Sequence, residues 1–146
     1  DAKSEYQVGP PAIAKYLQAI QVTFPFEITS LLHKDSLDMM PEDRDLIRGS
    51  VAECAEPRIL ITHGTDTMVD TAKHLLEVPD KTIVLTGSLL PGGFHDTDAV
   101  FNVGFALGAL QALETGVYVC MNGRIFDPTR VRKYRDKGIF AEDTEG

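Results

Sequence analysis

The chain has 146 residues, a formal net charge of −8 and 43% hydrophobic residues, the composition of one ordinary globular domain able to bury roughly two-thirds of its unfolded surface. So acidic a balance argues against nucleic acid or an anionic membrane as partner, since either demands a basic stripe, and no apolar run approaches the roughly 20 residues that span a bilayer. Cys54 and Cys120 fit neither a disulfide framework nor a zinc site, which leaves two buried free thiols as the expectation.

In chain order, Ile13, Ala14, Leu17 and Ile20 stand at helical spacing and predict a helix over 11–21, with Gly9-Pro10-Pro11 marking its start. The stretch 22–28, broken by Pro25, reads as an extended edge segment. Pro41 at a first helical position, with Glu42, Asp43 and Asp45 near the positive dipole end, starts a helix running to about residue 54. Residues 58–62 read as a buried parallel strand, and Met68, Val69, Ala72, Leu75 and Leu76 form one face of a helix over 67–77. Val78-Pro79-Asp80 is a turn and 82–86 a second buried strand. Asp96 or Thr97 then opens a long helix to about residue 114, with Val100, Val103, Ala106, Leu107, Leu110 and Leu113 as its apolar stripe. Gly104 and Gly108, four apart, are expected to let that helix approach a neighbour closely. Residues 117–121 form a third buried strand. This βα alternation predicts an α/β fold, a doubly wound, mainly parallel sheet flanked by helices, Rossmann-like or flavodoxin-like, in a single domain over 1–146.

The densest chemistry lies in Ile61-Thr62-His63-Gly64-Thr65-Asp66-Thr67-Met68, hydroxyl and carboxylate side chains on a glycine hinge between strand and helix. In open parallel sheets ligands bind outside the carboxyl ends of the strands, where helix N-termini present free N–H groups. The bland reading is a helix cap, because Thr67-Met68-Val69-Asp70 fits a capping box with Asp in place of Glu. One cap accounts for Thr67. It accounts less well for Thr65, Asp66 and the tight backbone at Gly64.

The segment 59–68 resembles the second signature of the bacterial-type L-asparaginases, threonine amidohydrolases. Asp35-Ser36-Leu37-Asp38-Met39 with Pro41-Glu42-Asp43 is similar to that family's substrate loop and following helix, in the D-S-x-D-M form of the cytoplasmic type I enzymes. Val84-Leu85-Thr86-Gly87-Ser88 is similar to its next strand and loop, and Asp98 with Asn102 to its D-G-x-x-N segment. Val119-Cys120-Met121-Asn122 and Phe126-Asp127-Pro128-Thr129-Arg130-Val131-Arg132-Lys133 are similar to its last strand and the stretch bearing the catalytic lysine. The family's T-G-G-T-I first signature, with its nucleophilic threonine, is missing from this sequence, as are the first strand and a second domain. The expectation is therefore the N-terminal asparaginase domain, in a short form. Leu37, Ala99 and Leu90 replace residues common in the family and bear on substrate affinity.

The resemblance implies hydrolysis of L-asparagine to L-aspartate and ammonia through a threonine-based acyl intermediate, without metal or organic cofactor. It implies a Thr65, Lys133 and Asp66 relay, with Asp66 also holding the substrate's ammonium group, and cytoplasmic residence in a homo-oligomer. A threonine hydroxyl needs a proton acceptor within reach, and a lysine serves only when its amine is partly neutral, which desolvation or neighbouring cations favour. Lys133 has Arg130, Arg132 and Arg135 around it in sequence. Ser36 and its loop N–H groups would meet the substrate's α-carboxylate, and donors near Gly87 and Ser88 would orient the amide or its oxyanion, although both serines also read as plain turn residues. His63 reads as a packed strand-end histidine and stays outside the catalytic set with His33, His74 and His95. The alternatives are a non-catalytic amino-acid-binding module and the asparaginase-like domain of an amidotransferase that supplies ammonia.

Overall fold

The computed structural model describes residues 12–32, 34–89 and 98–143. Four strands form one sheet in the order β1 (Arg58–Thr62), β2 (Thr82–Thr86), β3 (Gly116–Met121) and β4 (Arg124–Phe126). The first three run parallel and β4 turns back antiparallel on β3 through Asn122 and Gly123, both at positive φ, the backbone that a two-residue hairpin loop requires. A separate antiparallel hairpin, β5 (Val131–Tyr134) with β6 (Ile139–Glu142), follows a short 3-10 turn at Pro128–Arg130. Among the described residues four helices complete the body: α1 (Ala12–Ala19), α2 (Pro41–Glu53), α3 (Met68–His74) and α4 (Ala99–Ala112).

Side-chain alternation along the strands separates two cores. Ile83 and Leu85 of β2 and Val117, Val119 and Met121 of β3 face α2 and α3, packing on Ile47, Val51, Met68, Ala72 and Leu75. Val84 and Cys120 face the other way, onto Ala106, Ala109 and Leu110 of α4. The sheet is thus covered on both faces, an α/β fold of mainly parallel strands as the periodicity predicted. The order is nevertheless unusual. Strands β1, β2 and β3 succeed one another in a single direction, yet the β1–β2 crossover helix α3 lies on one face and the β2–β3 crossover helix α4 on the other. Two such crossovers must have opposite hands, so one is of the rare left-handed kind.

Helix ends are tied by long cationic side chains. Arg58 donates to the carbonyls of Leu110 and Leu113 at the end of α4, and Lys81 to those of Cys54 and Glu56 just past α2, where orphan carbonyls and the negative dipole end both favour a cation. At the start of α2, Asp43 accepts from the Met40 N–H at 2.8 Å. That bond, with Lys34 beside it, holds the Asp43 carboxyl below its ordinary pKa.

Three expectations need correction. Residues 22–28 pair with none of the described strands. Pro25 removes a donor, and no described strand lies beside β1 on its free edge, so Phe24 and Phe26 pack edge-to-face on each other instead. Thr67 does precede α3, but its side chain makes no cap bond. Gly104 and Gly108 approach no neighbour among the described residues: a Cβ at either position would meet none of them within 4 Å. The helix starts read at Gly9-Pro10-Pro11 and at Asp96 or Thr97, together with Leu90, His33 and His95, lie outside the described residues. Both cysteines are free thiols, Cys120 buried and Cys54 partly so; burial pushes the Cys120 thiol up to about 12. No helix among the described residues is long and apolar enough to cross a membrane.

Candidate active site

Three loops converge at the carboxyl edge of the parallel strands, and two glycines let them touch. The ladder between β1 and β2 is extended by the His63 N–H donating to the Thr86 carbonyl at 2.9 Å. Beyond it, a Cβ on Gly87 would lie 2.2 Å from the His63 carbonyl oxygen, and one on Gly64 would lie 2.7 Å from the Ser36 Cβ. Only glycine fits either place.

Ser36 opens a 3-10 turn, Ser36–Asp38, capped by the Asp35 carboxylate, and it is 2% exposed. Its Oγ accepts from the Thr67 N–H at 3.3 Å and its carbonyl accepts from the Thr67 hydroxyl at 2.8 Å. Thr67 therefore latches two loops together instead of capping its own helix. Ser36 is held by that latch beside the 64–67 turn.

Lys133 arrives from the other side of the cleft. On β5, Val131 is buried in the core and Lys133 shares its face by alternation, while Arg132 stacks on Tyr134 across the opposite face with its guanidinium carbon 4.5 Å from the ring centroid. Phe140, opposite Lys133 in the hairpin, is 2% exposed, and its N–H donates to the Asn122 side-chain oxygen at 2.7 Å, which fastens the hairpin to the β3–β4 turn. So held, Lys133 Nζ reaches Thr65 Oγ1 at 2.7 Å and Asp66 Oδ1 at 2.8 Å. Arg135 Nε approaches the same Asp66 oxygen at 3.3 Å. Thr65 is 9% exposed, and the Lys133 and Asp66 side chains 16% and 24%, so the cluster is shielded and still reachable from solvent.

Ser88 lies on the loop after β2, and its hydroxyl donates to Asp98 Oδ1 at 2.5 Å. Asp98 Oδ2 accepts from the Leu89 N–H at 2.9 Å and from Asn102 Nδ2 at 3.0 Å, and the same amide donates to the Gly87 carbonyl at 2.8 Å. Asp98 and Asn102 thus brace the Gly87–Ser88 turn against α4. Of the residues expected at the site, Thr65, Asp66 and Lys133 are in mutual contact, Ser36 adjoins them through Thr67, and Ser88 turns to Asp98.

His63 sits just behind. Its Nδ1 lies 2.7 Å from the Gly64 carbonyl and its Nε2 2.7 Å from Thr71 Oγ1, which accepts from Arg44 Nε at 3.1 Å. A carbonyl only accepts, so the proton belongs on Nδ1 and Nε2 takes the Thr71 hydroxyl proton. Burial pushes this imidazole below its ordinary pKa, with the Gly64 carbonyl opposing. His74, on α3, pairs with Asp45. Sequence reasoning counted Arg135 only as a neighbouring cation. Nothing in the sequence reveals its contact with Asp66, since 66 and 135 meet only through the hairpin.

The sequence profile described as "Asparaginase, N-terminal" matches residues 1–141. The chain belongs to the asparaginase family. It is 36% identical over 120 residues to the L-asparaginase of Thermococcus kodakarensis, an alignment covering 79% of this chain and 37% of that protein. It is 33% identical over 136 residues to the glutaminase-asparaginase of Acinetobacter glutaminasificans, covering 90% and 39%. The solved thermostable L-asparaginase from Thermococcus kodakarensis superposes with a TM-score of 0.77 at 32% identity, over 86% of this chain and 42% of that one. The chain therefore spans about two-fifths of the length of these asparaginase-family relatives, and the match carries the resemblance of segment 59–68 across nearly the whole sequence.

Proposed function

We propose that the protein hydrolyses L-asparagine to L-aspartate and ammonia through an acyl-threonine intermediate. The reading rests on one observation above all: in a chain of this family, the Lys133 amine contacts both the Thr65 hydroxyl and the Asp66 carboxylate at the sheet edge where α/β proteins bind ligands. In acylation, a threonine oxygen bonds to the amide carbon, the carbon–nitrogen bond breaks, and the hydroxyl proton leaves with ammonia. In deacylation, water bonds to that carbon, the bond from the carbon to the threonine oxygen breaks, and a water proton restores the threonine hydroxyl. Thr65 and Lys133 relay these protons, and Asp66 orients Lys133 while holding the substrate's ammonium. Ser36 and the Gly87–Ser88 turn offer donors to the carboxylate and the amide oxygen.

Affinity is weak, roughly millimolar, because the Asp66 side chain that would hold the ammonium is 24% exposed and its neighbour Arg135 61% exposed, so water competes there. L-Glutamine is the poorer substrate, since one more methylene displaces the amide by a step worth about 1 to 3 kcal/mol. The enzyme acts in the cytoplasm as a homo-oligomer. Its outer α4 face supports that assembly: Val100 and Phe101 are exposed, Phe101 stacks on Phe105, Gly104 and Gly108 are open, and the helix carries no charge. In a chain of net charge −8, two copies meeting there set no like charges opposite one another.

Ammonia release from L-asparagine by the full chain is the test. Turnover with a Michaelis constant in the low micromolar range would contradict the weak-binding element. Amino-acid binding without ammonia release would replace hydrolysis with the non-catalytic binding-module reading.

A further inference from the structure

Between the His63 N–H, which donates to the Thr86 carbonyl, and the Thr67 latch on Ser36, no backbone group of Gly64, Thr65 or Asp66 bonds to another backbone group among the described residues. Yet this is the stretch whose side chains must meet Lys133. The contact that ties its backbone down there is His63 Nδ1 on the Gly64 carbonyl, at 2.7 Å. Gly64 has no side chain to anchor, since a Cβ there would strike Ser36, so its carbonyl is the handle that the turn offers.

The chain of bonds behind that contact runs in one direction. Arg44 Nε, on α2, donates to Thr71 Oγ1 at 3.1 Å, the Thr71 hydroxyl donates to His63 Nε2 at 2.7 Å, and the Nδ1–H donates to Gly64. Arg44 can only donate, so the Thr71 proton is directed at Nε2, and that leaves the ring's own proton on Nδ1, where a carbonyl can accept it. Bonds chained in this way polarise one another, and Thr71 is fully buried. A second proton on the imidazole reverses the polarity. Nε2 then donates, the Thr71 oxygen faces two donors, and its hydroxyl proton must turn elsewhere. The acceptor that helix geometry offers is the Thr67 carbonyl, which already accepts from the Thr71 N–H at 3.2 Å. Burial and the Arg44 guanidinium on α2 disfavour that second proton, while the Gly64 carbonyl and Asp70 on α3 favour it.

We infer that His63 is a positioning residue: in its neutral Nδ1–H form, oriented by Thr71 and Arg44, it pins the Gly64 carbonyl and so holds Thr65 and Asp66 against Lys133. Only the turnover readout rests on the hydrolase reading. An Asn amide nitrogen stands near the place of Nδ1 and a Gln amide near that of Nε2. His63→Asn therefore keeps the Gly64 bond and gives up Thr71, and His63→Gln does the reverse. In ammonia release from L-asparagine at about pH 7.5, His63→Asn should keep kcat within about 3-fold of the parent, and His63→Gln should lose about 10-fold or more. Urea melts should rank the two oppositely, because His63→Asn takes the acceptor from the buried Thr71 hydroxyl; a role confined to stability would rank them alike. The parent's kcat should fall below pH 6.5 as the ring takes its second proton, a limb absent from His63→Asn. Nuclear magnetic resonance of the side-chain nitrogens should find the parent ring as the Nδ1–H tautomer. The Lys133 Nζ signal should keep its place in His63→Asn and move in His63→Gln. An Nε2–H ring, a Lys133 signal unmoved in His63→Gln, or equal kcat in the two variants of an active parent overturns the inference. A Lys133 signal that moves in His63→Gln alone, in a protein that releases no ammonia, upholds it and removes only the hydrolase reading.

Discussion

A methyl group at Gly87 would lie 2.2 Å from the His63 carbonyl oxygen, whereas one at Gly104 would meet nothing within 4 Å. Gly87→Ala must push two backbone strands apart and is expected to cost at least about 2 kcal/mol with loss of activity. Gly104→Ala, on an exposed helix surface, should stabilise by about 0.5 to 1 kcal/mol. Urea melts of the two variants check this, and equal effects would contradict the loop packing described. His63 gives the pH dependence. Burial lowers its folded pKa below 6.5, so the unfolded chain binds the extra proton. Its stabilising contribution is complete above pH 6.5 and is lost as pH falls through 6.5 towards the folded value. The slope is at most about 1.4 kcal/mol per pH unit. His63→Gln should flatten the urea midpoint between pH 7.5 and 5.5, and an unchanged slope would refute the assignment. Asp43 and Asp127, whose carboxyls are depressed chiefly by bonds from backbone N–H groups, add a second loss below about pH 3.8. Thr65 and Asp66 stand out in the dense local pattern of 61–68, whereas Lys133 is singled out only by the resemblance of 126–133 to the family; the structure places its amine against both. The Thr67–Ser36 latch was not legible, because it joins residues 31 apart and a threonine before a helix reads equally well as a cap.

Lys133 owes its place to the β5–β6 hairpin, whose hold on the body is Val131, Phe140 and the Asn122 side chain. Phe140→Ala should cost about 3 to 5 kcal/mol if the chain keeps its fold. Asn122→Ala should cost about 1 kcal/mol while lowering activity more than stability, because it loosens the strand carrying the amine. Ammonia assays and urea melts of the same preparations separate the two effects, and a purely proportional loss would argue against the positioning role. The three parallel strands and helices α1, α3 and α4 were readable from apolar periodicity, and α2 from Pro41 and the acidic residues after it, to within a few residues at their ends. Strands β4, β5 and β6 are short, and the basic residues of 130–135 dilute their alternation, so no apolar period marks them, although Asn122-Gly123 between apolar residues is a strong hairpin signal. The mixed crossover handedness had no local signal. Helix α4 is apolar nearly all round, with Phe101 exposed and Ala106 buried, so its pattern does not declare which face of the sheet it covers.

For the molecule as a whole, the uncharged helix α4 with its exposed Val100 and Phe101 is the surface that the proposed assembly would use. Sedimentation should find the protein assembled at micromolar concentration and Phe101→Glu shifted towards monomer with its circular dichroism unchanged, since the substitution buries a charge only in the assembly. A monomeric parent protein would contradict that use of the face. The acidic α/β architecture was legible from composition and alternation, and the family from segment 59–68. What composition and periodicity could not show, and only the resemblance implied, is the contact of residues 68 positions apart at 2.7 Å. Its catalytic use is tested most directly by ammonia release from L-asparagine in Lys133→Met beside the parent protein, with circular dichroism to verify folding. The account predicts release by the parent and a loss of at least about 100-fold in the folded variant; undiminished release by folded Lys133→Met would contradict it.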